Sequence, residues 1–199
     1  MPQQRKVFLL SPANCSGKRA GFLLRPQASF DLALRLRSSD GAEIGDVFSF
    51  MSGLYFRGKL AYSRVFADPP AGCGGIHVIV PGLGLLPPNY RVDLQALKAI
   101  ARVRVDVDER RYMVPLRAAA AELCERLSDD DIVVLLGSVA TFKYLKPLGD
   151  TFGSALRFPG EFVGLGDMSR GSLMLRSARS GQELRYVGMP ARKTKGVAA

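Results

Sequence analysis

With 199 residues, 47% apolar and 23% charged, the chain has an ordinary globular balance and is long enough to bury a core. No apolar run approaches the roughly 20 residues of a membrane span, so no membrane partner is expected. The formal charge of +10 favours a polyanionic partner, although an Arg-rich proteome would leave the same mark, with 20 Arg to 8 Lys.

In chain order, Met1 to Lys6 is polar and leads into a strand, so no signal peptide is expected. Val7–Ser11 reads as that strand, ended by Pro12. Ser29 is placed to cap a helix reaching about Arg37, with Asp31 in its first turn. Ser39-Asp40-Gly41 is a turn, and Val47–Met51 reads as a short strand. Gly53 then leads into a helix from Tyr55 to Ala67, stopped by Pro69-Pro70.

Ile76–Val80 is rich in β-branched residues and reads as a buried strand. Pro81–Pro88 reads as a loop, and residues 93–101 as a short helix. Val103, Val105 and Val107 alternate with charged residues, the pattern of a strand with one wet face. The clearest helix spans about 114–127, where Leu116, Ala120, Leu123, Cys124 and Leu127 share one face. Asp129–Asp131 turns into the buried strand Ile132–Leu136, and a short helix over 139–146 ends at Pro147. Ala155–Phe158, Ser172–Arg176 and Glu183–Val187 read as strands, and residues 188–199 as a flexible basic tail. This order predicts a single α/β domain over 1–187, with a mixed sheet flanked by helices.

Charge is unevenly spread. Residues 1–67 carry ten basic and four acidic groups, residues 68–131 eight and ten, and residues 132–199 ten and four. The basic segments hold most of the motifs that put small and cationic residues at strand ends. Ligands of open α/β sheets bind outside the carboxyl ends of strands, so these motifs point to one basic site for phosphate or nucleic acid.

Ser11–Arg19 has the composition of an oxyanion-binding loop with Asn14, Lys18 and Arg19. It lacks the glycine spacing and the Ser/Thr of a Walker A loop, and Gly164-Leu165-Gly166 does not continue into a dinucleotide fingerprint. No cofactor is therefore expected. An ordinary solvated turn is the other reading of the loop. Arg57 and Lys59 flank Gly58 near a helix start, where cations oppose the helix dipole. Beside them, Tyr55 and Phe56 could stack a base or pack in the core. Val80-Pro81-Gly82-Leu83-Gly84 has the form of a DNA-binding hairpin turn, but the β-branched run before it and Pro87-Pro88 after it favour a strand-to-loop turn.

Cys15, Cys73 and Cys124 are odd in number and widely spaced, which points to a reducing, cytoplasmic setting without disulfides or zinc. His77 is the one histidine, so no metal site is expected; a Cys15–His77 pair rests on residue type alone. Asp106, Asp108 and Glu109 read as a solvated strand end. Asp167, in a Gly-rich turn before Arg170, is a candidate general base or a group orienting Arg170; Ser138 is a second catalytic candidate.

Taken in order, these motifs resemble the bacterial peroxide-stress protein family of the YaaA type. Leu9–Asn14 resembles its Ile-Ser-Pro-Ala-Lys opening, and Phe50–Leu60 its Gly-Leu segment at a helix start. Val78–Leu94 resembles its Ser-Gly-Leu-Tyr-Gly-Leu-Leu-Arg-Pro-Leu-Asp-Leu run, Val133–Tyr144 its Asn-Leu-Ala-Ser-Asn-Glu-Tyr-Phe-Lys run, and Ser169–Met174 its Ala-Arg-Gly-Leu-Met. Asn14 stands where that family has Lys, and Val139-Ala140-Thr141 replaces Ser-Asn-Glu. The resemblance implies DNA binding through a basic cleft and a part in limiting oxidative damage.

The leading expectation is a DNA- or other nucleic-acid-binding protein. Its contacts would come from Asn14, Lys18, Arg19, Tyr55, Arg57, Lys59, Lys143 and Arg170. The alternative is an enzyme of glycosidase or transglycosylase type, acting on a nucleotide or nucleobase in the same cleft. A basic protein-interaction scaffold is a third reading.

Overall fold

A computed structural model describes residues 4–139 and 142–188. The six-stranded sheet has the order β4-β3-β1-β6-β7-β8. Its strands are β1 (Lys6–Leu10), β3 (Ile76–Val80), β4 (Gly84–Leu86), β6 (Ile132–Leu136), β7 (Leu156–Pro159) and β8 (Tyr186–Gly188). β1 runs parallel to β3 and β6, and β6 parallel to β7, while β4 and β8 are antiparallel edges. β2 (Ala42–Glu43) and β5 (Arg91–Val92) form a separate antiparallel pair.

Alternation along the strands builds two cores. Phe8, Leu10, Val78, Val80, Val134 and Leu136 face one layer. That layer holds α1 (Lys18–Leu24), α2 (Asp31–Arg37), α3 (Ile44–Ser52), α4 (Leu54–Phe66), α5 (Leu94–Ala101) and α8 (Asp167–Ser180). Val7, Leu9, Ile79, Val133 and Leu135 face the other layer, made by α6 (Arg110–Cys124) and α7 (Phe142–Phe152). The expected mixed sheet flanked by helices is therefore present. β6 is buried along its whole length, as a central parallel strand covered on both faces must be.

Several local expectations are corrected. Val47–Met51 is helical: it belongs to α3, which buries Ile44, Val47, Phe48 and Met51 on one side. A five-residue apolar run fits either period, and packing decided it. Ser172–Arg176 lies in α8, whose buried Arg170, Gly171, Met174 and Ser177 recur at helical spacing. Residues 103–107 are irregular rather than a strand, and Val103 and Val105 pack on the second core. Pro81–Pro88 contains β4, hairpinned to β3 through Gly82 (φ 87°) and Gly84 (φ 85°). Phe30 rather than Ser29 stands at the start of α2.

The two proline-containing helices also differ from expectation. α6 begins at Arg110, four residues ahead of the expected start at 114, with Pro115 inside it. α7 continues through Pro147 to Phe152. Pro147 has no N–H for the carbonyl of Lys143, four residues back. The Tyr112 hydroxyl of α6 donates to that oxygen instead, at 3.0 Å. The helix thus keeps its acceptor satisfied and is pinned to its neighbour at the same point. The start of the expected 139–146 helix at residues 140 and 141, and the tail from residue 189, lie outside the described residues.

The C-terminal strand is tied back to the first. Lys6 Nζ donates to both carboxylate oxygens of Glu183 at 2.6 Å, Tyr186 hydroxyl donates to Glu183 at 2.6 Å, and the Tyr62 and Tyr186 hydroxyls stand 2.7 Å apart. No helix among the described residues is long and apolar enough to cross a membrane.

Candidate functional site

The parallel centre of the sheet reverses its winding at β1. The chain leaves β1 for β3 on one side and later returns to place β6 on the other. Loops leaving the carboxyl ends of such neighbours must diverge, which opens a crevice between them. A cleft of about 570 Å³ lies there, lined by the whole Ser11–Gly17 loop after β1, Pro81 after β3 and Ser138 after β6. Gly137 lets the two loops approach: a Cβ there would stand 2.9 Å from the Ser11 Cβ.

Three long helices begin at the cleft. Tyr55 is the second residue of α4, Lys143 the second of α7 and Asp167 the first of α8, and all three line it. Their N-terminal ends add positive potential to a site that also holds Lys143 and Arg104. The Tyr55 hydroxyl is buried and has no hydrogen-bond partner among the described residues. Burial pushes its pKa up to about 12, with Arg170 drawing it part of the way back. A buried hydroxyl without a partner costs free energy unless a ligand or water supplies one.

Behind the cleft lies Lys59, 1% exposed at the centre of α4. Its Nζ donates to the Ser11 carbonyl at 2.9 Å and to the Ser11 Oγ at 2.7 Å, and it stands 4.0 Å from the centre of the Tyr55 ring. Burial pulls its pKa down to about 7; Asp167 opposes this, while Arg170 and Lys143 reinforce it. Tyr144 also lines the cleft, and burial and the nearby Tyr55 raise its pKa.

Of the residues expected from sequence, the cleft gathers Asn14, Tyr55, Ser138, Lys143 and Asp167. Asn14 holds its own loop, accepting from the Ser16 N–H and hydroxyl. Lys59 and Arg170 are interior. Arg170 donates through Nε and Nη2 to the Phe162 carbonyl at 3.1 and 3.0 Å, and its Nη1 lies 3.6 Å from the Asp167 carboxylate. Lys18, Arg19 and Arg57 are exposed and outside the lining. Phe56 is core.

Cys15 lines the cleft, but burial lifts its thiol to about 11, the wrong direction for a reactive thiolate. His77 is not beside it: its Nε2 is bonded to the Gly74 carbonyl, and burial lowers its pKa. Glu109 caps α6 and pairs with Arg111, while Asp106 accepts from the Asp108 N–H. No cluster of three potential metal ligands occurs among the described residues. Sequence reasoning missed the Ser11 contact to Lys59 and the lining role of Arg104. The signal for Lys59 was its place on an aromatic face: Tyr55, Phe56 and Tyr62 lie four and three residues before it and three after. No family model, curated protein or solved structure matches the chain.

Proposed function

We propose that the protein binds nucleic acid by taking one nucleotide unit into the cleft between β1 and β6, with its phosphate toward Lys143, Arg104 and the helix starts. The observation that carries this reading is the convergence of three helix N-termini on a switch-point cleft beside the buried Tyr55 hydroxyl, which is unpartnered among the described residues. The volume suits a nucleotide rather than a duplex. Phe142 and Met168 follow the same logic: each is next in sequence to a lining residue, and they are 72% and 65% exposed. They offer apolar faces on which neighbouring bases of a single strand would stack. The overall charge of +10 gives the long-range attraction. The resemblance to the peroxide-stress family points the same way, toward a part in protecting DNA.

The test is a titration of purified protein with fluorescent single-stranded DNA, duplex DNA, RNA and mononucleotides at several salt concentrations. Binding of single strands with a steep negative salt slope, competed by mononucleotides, is the expected result. Absence of binding at moderate salt would overturn the reading.

A further inference from the structure

We propose that Ser11 and Lys59 form a nucleophile–base pair that cleaves a phosphodiester of the nucleotide unit held in the cleft. The inference rests on the cleft reading above and adds a reaction to it. Four observations carry it. Ser11 sits at the carboxyl end of the central strand and lines the cleft. Its Oγ is 2.7 Å from the Lys59 Nζ. Lys59 has no carboxylate partner among the described residues and sits against the Tyr55 and Phe56 rings. The backbone N–H groups of Ala13, Asn14 and Cys15 have no acceptor among the described residues. Ser11 is only 3% exposed, yet it lines the cleft; a lysine kept only for structure would satisfy the Ser11 carbonyl and would not also need the hydroxyl of a lining residue as its second partner.

The chemistry balances with water as co-reactant. In its neutral form Lys59 donates to the Ser11 carbonyl and accepts the hydroxyl proton of Ser11 on its lone pair. The Oγ–P bond forms, the P–O bond to the leaving oxygen breaks, and that oxygen takes the proton from Lys59. The alcohol departs at this stage; water then attacks the phosphorus, the P–Oγ bond breaks, the water's proton passes through Lys59 to the Ser11 oxygen, and a phosphate monoester leaves. Residues 13–15 and Lys143 line the same cleft, where their N–H groups and ammonium would stabilise the charge that gathers on the phosphoryl oxygens. A lysine pKa near 7 lets the base be half neutral at physiological pH. The groups bearing on it are Asp167 and Arg170 from α8, Lys143 from α7 and the Tyr55 ring from its own helix, while Tyr144 of α7 bears on Ser11.

The experiment is labelling with a fluorophosphonate, with the adduct located by peptide mass spectrometry, alongside turnover of bis(p-nitrophenyl) phosphate. The expected result is one adduct on Ser11, formed faster as pH rises through about 7, slowed by mononucleotide, and absent in Ser11→Ala. Lys59→Met is expected to slow labelling about 100-fold or more, the usual weight of a positioned base. The wild-type adduct site and pH profile need no variant and stand even if Lys59→Met fails to fold. No adduct on Ser11, or one that falls elsewhere, overturns the pair while leaving nucleotide binding as a separate result. An adduct on Ser11 that mononucleotides do not slow upholds the pair and overturns the phosphate-ester assignment.

Discussion

Gly58 of α4 and Gly171 of α8 meet backbone to backbone. A Cβ on Gly58 would stand 2.7 Å from the Gly171 carbonyl oxygen, and one on Gly171 would stand 2.8 Å from the Leu54 carbonyl oxygen. This approach sets Lys59 and Tyr55 on one helix against Asp167 and Arg170 on the other. Gly58→Ala and Gly171→Ala must spread the helices, and overpacking of this kind costs about 1–3 kcal/mol. Urea unfolding is expected to show that loss for each, together with weaker nucleotide binding. Wild-type stability in either variant would mean the helices can part freely.

Lys59 gives the protein an alkaline stability slope. Its pKa is 10.5 when free and about 7 in the fold. Between those values the unfolded chain holds a proton that the folded chain has shed, so stability rises with pH across that window. Below about 7 both states are protonated and the contribution is at its minimum; above 10.5 both are neutral and it is complete. Stability of wild type relative to Lys59→Met is therefore expected to increase from pH 7 to pH 10. The tyrosines and Cys15 titrate in both proteins and drop out of the difference. Parallel stability curves would show that Lys59 is charged in the fold.

The cations divide into three kinds. Lys143→Ala or Arg104→Ala is expected to weaken mononucleotide and oligonucleotide binding alike. Each should reduce the salt slope by about 0.7–0.9 for every phosphate that is no longer neutralised. Arg57, exposed and outside the cleft, should matter for oligonucleotides alone if the strand runs past α4. Arg170→Ala should read as a stability defect, because its guanidinium serves the Phe162 carbonyl.

Phe142→Ala tests the stacking face. One base–aromatic stack is worth about 1–3 kcal/mol. Fluorescence titration should show oligonucleotide affinity falling by about fivefold or more while mononucleotide affinity holds. An unchanged oligonucleotide affinity would place the strand elsewhere on the surface.

Tyr186→Phe removes the link between Tyr62 and Glu183. Each hydrogen bond removed contributes about 0.5–1.5 kcal/mol, more where a charged partner is left behind. Thermal unfolding should register the change, and nucleotide binding should not, since this chain of hydroxyls lies outside the cleft lining.

The central strands were legible in the sequence because Val7–Leu10, Ile76–Val80 and Ile132–Leu136 are short β-branched or apolar runs bounded by turn residues. For the runs at 47–51 and 172–176, nothing local separates a buried helix face from a strand. Their period was settled by what α4 presents to them. The Ser11–Gly17 loop was legible as a binding element from its composition. The placement of Lys59 was not, because its partner lies 48 residues away along the chain. A lysine beside a glycine reads as surface until that partner is known. Arg104 was not legible because Val103–Val107 imitates strand alternation, while Val103–Val105 serves as a cleft wall.

The position of β1 in the sheet also governs when the site comes into being. Its two neighbours are β3 and β6, so the groove beside Ser11 cannot close until Leu136–Ser138 has been made and has found its place. Pairing across such long loops is slow, because chain entropy is lost before the strands bond. Ser11 and the buried Lys59 can meet early, through β1 and α4 alone, whereas the cleft wall comes last. Assembly of the cleft would then lag behind compaction. A refolding experiment should recover nucleotide binding after the burial of aromatic residues, with the interval set by β6 docking onto β1.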